Sequence, residues 1–111
     1  MNYEFENIGS VLKVSLDGRL VAACSEDFKE RLVNHISTNH NIMIDLTKMS
    51  YIDSSGLGTL VFLLQKATAA GGTVKLACLQ PRPRIVFDIT KVYRVFEIYD
   101  SVEACLASFN S

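Results

Sequence analysis

Two adjacent hydroxyls, Ser54 and Ser55, stand in the string Tyr51-Ile52-Asp53-Ser54-Ser55-Gly56-Leu57-Gly58, with an apolar run on either side. A serine hydroxyl can receive a phosphoryl group, bind an anion or cap a helix, and the backbone that carries it decides between these. Downstream, Leu57, Leu60, Val61 and Leu64 recur at helical spacing, and Phe62 and Leu63 fill much of the remaining circumference. The spacing predicts a largely buried helix from Ser54 to Ala70, stopped by Gly71-Gly72. Gly56 and Gly58 fall in its first turns, where each costs about 1 kcal/mol relative to alanine. After Asp53 the helix carries no acidic residue, so its first N–H groups and the positive end of its dipole lack a carboxylate complement within the first turn. Such an end can accept a phosphate, and its small residues let another protein approach the backbone closely. The competing reading is architectural: Asp53 or Ser54 is an N-cap, and the glycines only allow tight packing against a strand.

The elements that must position this string alternate in type. Tyr3 to Glu6 alternates as a short edge strand, and Asn7 to Ser10, with Gly9, reads as a hairpin turn. Residues 11–16 alternate again, as a strand with one face covered. Gly18 to Cys24 is the passage into a first helix, with Ser25 as N-cap and Glu26 and Asp27 in its acidic first turn. Phe28, Leu32, Val33 and Ile36 mark the buried face of that helix. Residues 41–46 form a nearly continuous apolar run, expected as a central parallel strand, and a short loop through Lys48 and Met49 leads to the serines. Beyond the glycine pair, residues 73–79 read as another strand. Pro81 and Pro83 open a third helix with Ile85, Val86 and Ile89 facing inward. Val95, Phe96, Ile98 and Tyr99 suggest a last strand. Asp100 is placed to cap a final helix with Glu103 as its capping-box partner, docked by Val102, Leu106 and Phe109. Strands alternating with helices indicate an α/β domain with a mixed sheet. Ligand and partner sites gather beyond the carboxyl ends of such strands, where the segment from Asp53 to Gly58 belongs.

Composition narrows the classes of function. The 111 residues fit one domain spanning 1–111. Eleven basic and twelve acidic residues give a net charge of −1, which argues against direct nucleic-acid binding. Cys24, Cys78 and Cys105 lie far apart without metal-ligand spacing, so they are expected as buried, reduced thiols. No apolar run reaches the roughly 18 residues of a membrane span, and no signal peptide is evident. A cytoplasmic setting is the expectation. His35 and His40 lack acidic or sulfur partners at ligand spacing and read as surface residues; no metal and no cofactor is expected. Arg82 and Arg84 read as solvated residues of the loop at the third helix. Ser54 does not lie in G-x-S-x-G, and no Walker-type phosphate loop occurs, which weighs against a hydrolase or a nucleotide hydrolase.

The residues carry a family resemblance over nearly the whole chain. Leu16-x-Gly18-x-Leu20, Ile44-x-Leu46, Asp53-Ser54-Ser55-Gly56-Leu57-Gly58, Gly72 with Val74, and the final Ile98-Tyr99-Asp100-Ser101-Val102-Glu103-Ala104 together resemble a STAS domain. The likeness is to the bacterial anti-sigma factor antagonists in particular. It implies a single STAS-like domain, a mixed and mostly parallel sheet with helices packed against it. It also implies a partner-switching protein with no enzymatic chemistry of its own. By position, the resemblance makes Ser54 the phosphate acceptor, with Ser55 second. The implied partners are an anti-sigma factor serine kinase, bound when Ser54 is unmodified, and a serine phosphatase that resets the switch. The implied partner face comprises Asp53, Ser54, Ser55, Gly56, Leu57 and Gly58, with Val21, Ala22, Ala23, Cys24 and Ser25 across the rim. One position departs from the pattern: many antagonists carry Asp where this chain has Val21. Two other readings stand beside the switch. One is a non-phosphorylated STAS subunit of a stress-signalling scaffold or a lipid-transport complex. The other is a small-ligand or nucleotide-binding module that uses the helix end as its anion site.

Overall fold

The computed structural model describes residues 1–36 and 41–110. The expectation for His40 as a surface histidine lies outside them. Five strands form one sheet in the order β1-β2-β3-β4-β5. Strand β1 (Asn2–Ile8) pairs antiparallel with β2 (Val11–Leu20) across a turn in which Gly9 takes φ +61. The remaining pairs, β2 with β3 (Asn41–Ile52), β3 with β4 (Thr73–Ala77) and β4 with β5 (Ile98–Tyr99), are all parallel. The mixed, mostly parallel sheet expected from the sequence is therefore present. Helices α1 (Ala22–Ile36), α2 (Ser54–Ala69), α3 (Pro81–Thr90) and α4 (Val102–Ser108) complete it.

Period-two alternation assigns the two faces. Leu12, Val14 and Leu16 of β2 and Ile42, Ile44 and Leu46 of β3 enter one core with Phe28 and Leu32 of α1, Leu60 and Leu63 of α2 and Phe87 of α3. Fully burying a side chain such as Leu60 contributes about 1.5–3 kcal/mol. Val11, Met43 and Ala77 point the other way and meet Cys105 of α4, with Val102, Leu106 and Phe109 packed around them. Lys75 is buried on that second face. Its Nζ donates to Ser108 Oγ at 2.9 Å and lies 4.6 Å from the Phe109 ring centre, fastening the end of α4.

Several expected boundaries move, each for a local reason. Strand β3 continues through Lys48 and Met49 to Ile52 instead of looping. Ser15 pairs with Asp45 but Asp17 with Lys48, and Gly18 with Met49 but Arg19 with Tyr51, so β3 carries an extra residue at each step. These bulges turn the apolar spacing from two to three. Leu46, Met49 and Ile52 consequently all face the core, fully buried, which hides the strand from a period-two reading. Strand β2 likewise runs on to Leu20. Helix α1 then starts at Ala22, and Ser25 lies inside its first turn, where its Oγ donates to the Val21 carbonyl at 2.8 Å; it does not cap. Val33 is only half-buried. Helix α2 ends as expected: Gly71 N–H bonds to Thr68 O (3.1 Å) and Gly72 N–H to Ala67 O (2.8 Å), with Gly71 at φ +95. That is the Schellman arrangement.

In α3 the inward stripe is Pro83 and Phe87. Ile85 and Ile89, expected inside, are 57% and 76% exposed, whereas Val86 is half-buried against the core as expected, because this ten-residue helix packs only through the narrow stripe of Pro83, Val86 and Phe87. Val95 is also exposed, next to a 3-10 turn at Val92–Arg94, and the last strand shrinks to Ile98–Tyr99. Strand β4 stops at Ala77 because Cys78 takes φ +61. Helix α4 is capped by Ser101, whose Oγ accepts from Ala104 N–H at 3.1 Å. With the cap one residue later than Asp100, Glu103 falls at the second helical position and cannot close a capping box. Of the three free cysteines only Cys105 is fully buried; Cys24 and Cys78 are half-buried. None of the helices among the described residues is long and apolar enough to cross a membrane.

Candidate functional site

Strand β3 outruns its neighbour. Its pairing with β4 ends at Asp45 opposite Ala77, and residues 46–52 pair with β2 alone. The β2–β3 ribbon therefore carries the ends of both strands past the rest of the sheet, with α1 starting from one and α2 from the other. The residues expected at the partner face, 21–25 and 53–58, are the two strand-to-helix junctions at the tip of this ribbon.

Asp53 organises the junction. It has extended backbone (φ −108, ψ −176) and caps α2, its Oδ1 accepting from Gly56 N–H at 2.9 Å while its carbonyl accepts from Leu57 N–H at 3.0 Å. The capping reading of this residue is correct, and the mouth of α2 is not without a carboxylate. Its other oxygen, Oδ2, accepts from Ala22 N–H at 3.0 Å, across to the start of α1. The Asp53 N–H donates to Leu20 O at 3.2 Å. No sequence pattern announces a contact between residues 31 apart; it arises because β2 and β3 are parallel neighbours that end together.

The two glycines differ in kind. A Cβ on Gly56 would lie 2.4 Å from Leu20 O and 2.7 Å from Ile52 Cγ1, so the close approach of α2 to the β2 end requires glycine there. A Cβ on Gly58 would meet nothing within 4 Å. Gly58 is exposed, and no packing among the described residues asks for its missing side chain.

Ser54 and Ser55 are the first two helical residues and both are exposed. Among the described residues neither hydroxyl has a hydrogen-bond partner, and as the first positions of α2 they keep N–H groups that no helix carbonyl reaches. Ser55 lines a groove of about 300 Å³ between α1 and α2, with Ala22, Ser25 and Glu26 on one wall and Gly58 and Phe62 on the other. Lys29 spans it, 3.2 Å from Glu26 Oε1 and 4.8 Å from the Phe62 ring centre. Leu57 is buried and serves the core. Of the residues across the rim, Ala22 and Ala23 are exposed, Val21 and Cys24 half-buried and Ser25 buried. Cys24 Sγ is 3.4 Å from both the Arg19 and Val21 carbonyls. The sequence does not mark Glu26, Lys29 and Phe62 as site residues, since a charged or apolar helical position looks the same whether it meets water, core or a groove. Arg19 stacks on Tyr51, 5.2 Å from the ring centre, and flanks the site on the ribbon. A larger concavity of about 520 Å³ lies elsewhere, on the open sheet face near Glu4, Ser15, Asp17 and Asp45; none of the candidate residues reaches it.

Comparison with known proteins places this geometry in a family. The model of the STAS domain matches residues 2–105. The chain is 28% identical over 98 residues to the anti-sigma-B factor antagonist of Bacillus subtilis, covering 88% of this chain and 90% of that one. A crystal structure of an anti-sigma factor antagonist from Mycobacterium paratuberculosis shares the fold with a TM-score of 0.89 at 18% identity, over 99% of this chain and 94% of that one. The structure of the Bacillus cell fate determinant SpoIIAA in its phosphorylated form superposes with a TM-score of 0.76 at 19% identity, over 97% and 99% of the two chains. With a match that runs from β1 into α4, and with the parallel β2–β3 tip carrying Asp-Ser-Ser-Gly-Leu-Gly into a helix, this chain belongs to the STAS domain family.

Proposed function

We propose that this protein is an anti-sigma factor antagonist controlled by phosphorylation of Ser54. Unmodified, it binds an anti-sigma factor that is also a serine kinase and so frees a sigma factor. In the kinase reaction Ser54 Oγ attacks the γ-phosphorus of ATP, its proton passes to a base on the kinase, and ADP leaves. The modified protein is released, and a serine phosphatase resets it. The protein itself catalyses nothing in this cycle and works in the cytoplasm. The observation that carries the reading is the Ser54 hydroxyl: exposed, without a hydrogen-bond partner among the described residues, and set at the first position of a helix at the tip of the sheet. The antagonist names of relatives along nearly the full chain support the partner class.

Electrostatics suffices to run the switch. A phosphoserine adds about −1.5 to −2 charges and three acceptor oxygens. At the mouth of α2 it faces solvent and the positive end of a helix dipole, so the free protein tolerates it. Inside a docked face the same group must be desolvated. A loss of about 3 kcal/mol there weakens binding more than a hundredfold, since 1.4 kcal/mol is tenfold.

The test incubates the protein with an anti-sigma factor serine kinase from the same genome and ATP and locates the modification by mass spectrometry. One phosphate on Ser54, absent in Ser54→Ala, is expected. Ser54→Asp should fold normally and bind the kinase at least tenfold more weakly; equal binding by wild type and Ser54→Asp refutes the switch.

A further inference from the structure

Asp53 holds three segments together. Its N–H reaches Leu20 O at the end of β2, its Oδ1 caps α2 through Gly56 N–H, and its Oδ2 takes Ala22 N–H at the start of α1. Capping needs one oxygen. The bond to Ala22 is exposed, so water would satisfy that amide if the carboxylate let go. Its consequence is therefore geometric: it fixes the start of α1 against the start of α2, one residue away from Ser54.

We propose that Asp53 is a positioning residue through which a phosphate on Ser54 is transmitted to residues 21–25. A dianion on the next residue repels the Asp53 carboxylate and competes with it for the amides at the helix mouth. The contact to Ala22 opens, and the α1 half of the face leaves the arrangement that the partner meets. Two helix starts thus respond to one modification although only one of them carries it. This inference rests on Ser54 as the modified residue and deepens that reading.

The two oxygens can be separated chemically. Asp53→Asn keeps Oδ1 toward Gly56 and is as good an N-cap, but its amide nitrogen is a donor facing the Ala22 donor. The tie to α1 is lost and the cap is kept. Ala22→Pro removes the same bond from the other side, at a first helical position where proline is tolerated, and leaves Asp53 intact.

The experiment installs phosphoserine at position 54 by genetic encoding, so no kinase is required, and reads amide shifts and solvent-exchange rates by NMR. In the wild-type chain the phosphate should raise exchange at Ala22 at least tenfold and move the Ala22–Ser25 amides. Unphosphorylated Asp53→Asn should reproduce that change, and phosphate added to it should alter Ala22 exchange less than twofold further. An Ala22 amide that ignores the phosphate in wild type, or ignores Asp53→Asn, overturns the proposal, because a purely capping Asp53 predicts that silence. In parallel, Ala22→Pro should bind the partner kinase at least tenfold more weakly than wild type; equal affinity overturns the link to docking. Failure of the kinase to modify Ser54 would instead sink the functional reading, and the NMR result would stand apart from it.

Discussion

Gly56→Ala and Gly58→Ala make a matched pair, two residues apart on one helix, for which the structure predicts opposite signs. Each replaces glycine by alanine inside α2 and gains up to about 1 kcal/mol of helix propensity. At Gly56 the new methyl would sit 2.4 Å from Leu20 O, 2.7 Å from Ile52 Cγ1 and 2.9 Å from Leu20 Cγ. The first of these is backbone, and that carbonyl also receives the Asp53 N–H, so it cannot retreat without loosening the junction. Overpacking of this kind costs about 1–3 kcal/mol. Contacts this short belong at the upper end, which leaves a net loss of about 2 kcal/mol. For a domain of this size that is a fall in Tm of about 8 °C. At Gly58 nothing opposes the propensity gain, and Tm should rise by up to about 4 °C. Urea and thermal unfolding of both variants by circular dichroism are the assays. A Gly56→Ala protein as stable as wild type, or a Gly58→Ala protein less stable than it, refutes the account of how α2 meets the strand ends.

Burial of Cys105 pushes its thiol up to about 11 from an ordinary 9, with Lys75 opposing. A raised folded-state value means stability complete below pH 9 and lost as pH climbs through 11, by up to about 3 kcal/mol. Tm should hold to pH 9 and then fall, and Cys105→Ala should remove that part of the fall. Tyr3, raised chiefly by donating to Asp27, acts in the same sense as pH rises past its ordinary value of 10. On α3, Ile85→Ser and Ile89→Ser should each change stability by less than about 0.5 kcal/mol, as exposed positions do. Phe87→Ala, in the core, should cost about 3–5 kcal/mol by urea melts.

The alternation of strands and helices, the parallel sheet and the place of the serines at a strand-to-helix junction are all legible in the residues, because hydrophobic period and glycine punctuation encode them locally. What fails is what depends on a neighbour. Met49 looks like loop because the bulges that turn it inward exist only against the register of β2. Ile85 and Ile89 look like core because their spacing is helical, and only the docking of α3 through Pro83 and Phe87 turns them outward. Ser25 looks like a cap by its type, yet β2 runs on and places the helix start at Ala22. At the candidate site the sequence marks Asp53, Ser54 and the glycines, and it offers Asp53 or Ser54 as the cap, of which the structure takes Asp53. It is silent on the second carboxylate oxygen, since no local rule connects residue 53 to residue 22.

The segment from Asp53 to Gly58 divides its residues by what would miss them. Leu57 is wanted by the core, Gly56 by the approach of α2 to Leu20, and one Asp53 oxygen by the cap. Remove any of these and the fold itself suffers. Ser54, Ser55 and Gly58 are exposed, and nothing among the described residues uses their hydroxyls or the missing side chain. A folding argument alone would place alanine or glutamate at such positions in the first two turns, gaining helix propensity or dipole energy. Two serines and a bare backbone there forgo that stability, as the docking and phosphorylation proposed for this face would require. The proposed switch, a surface smooth when docked and chargeable when released, would account for all three at once. The same logic makes Gly58 a discriminating position: its substitution by alanine should strengthen the fold, and if a partner's backbone does pack against it, that stabilised protein is the one that binds worse.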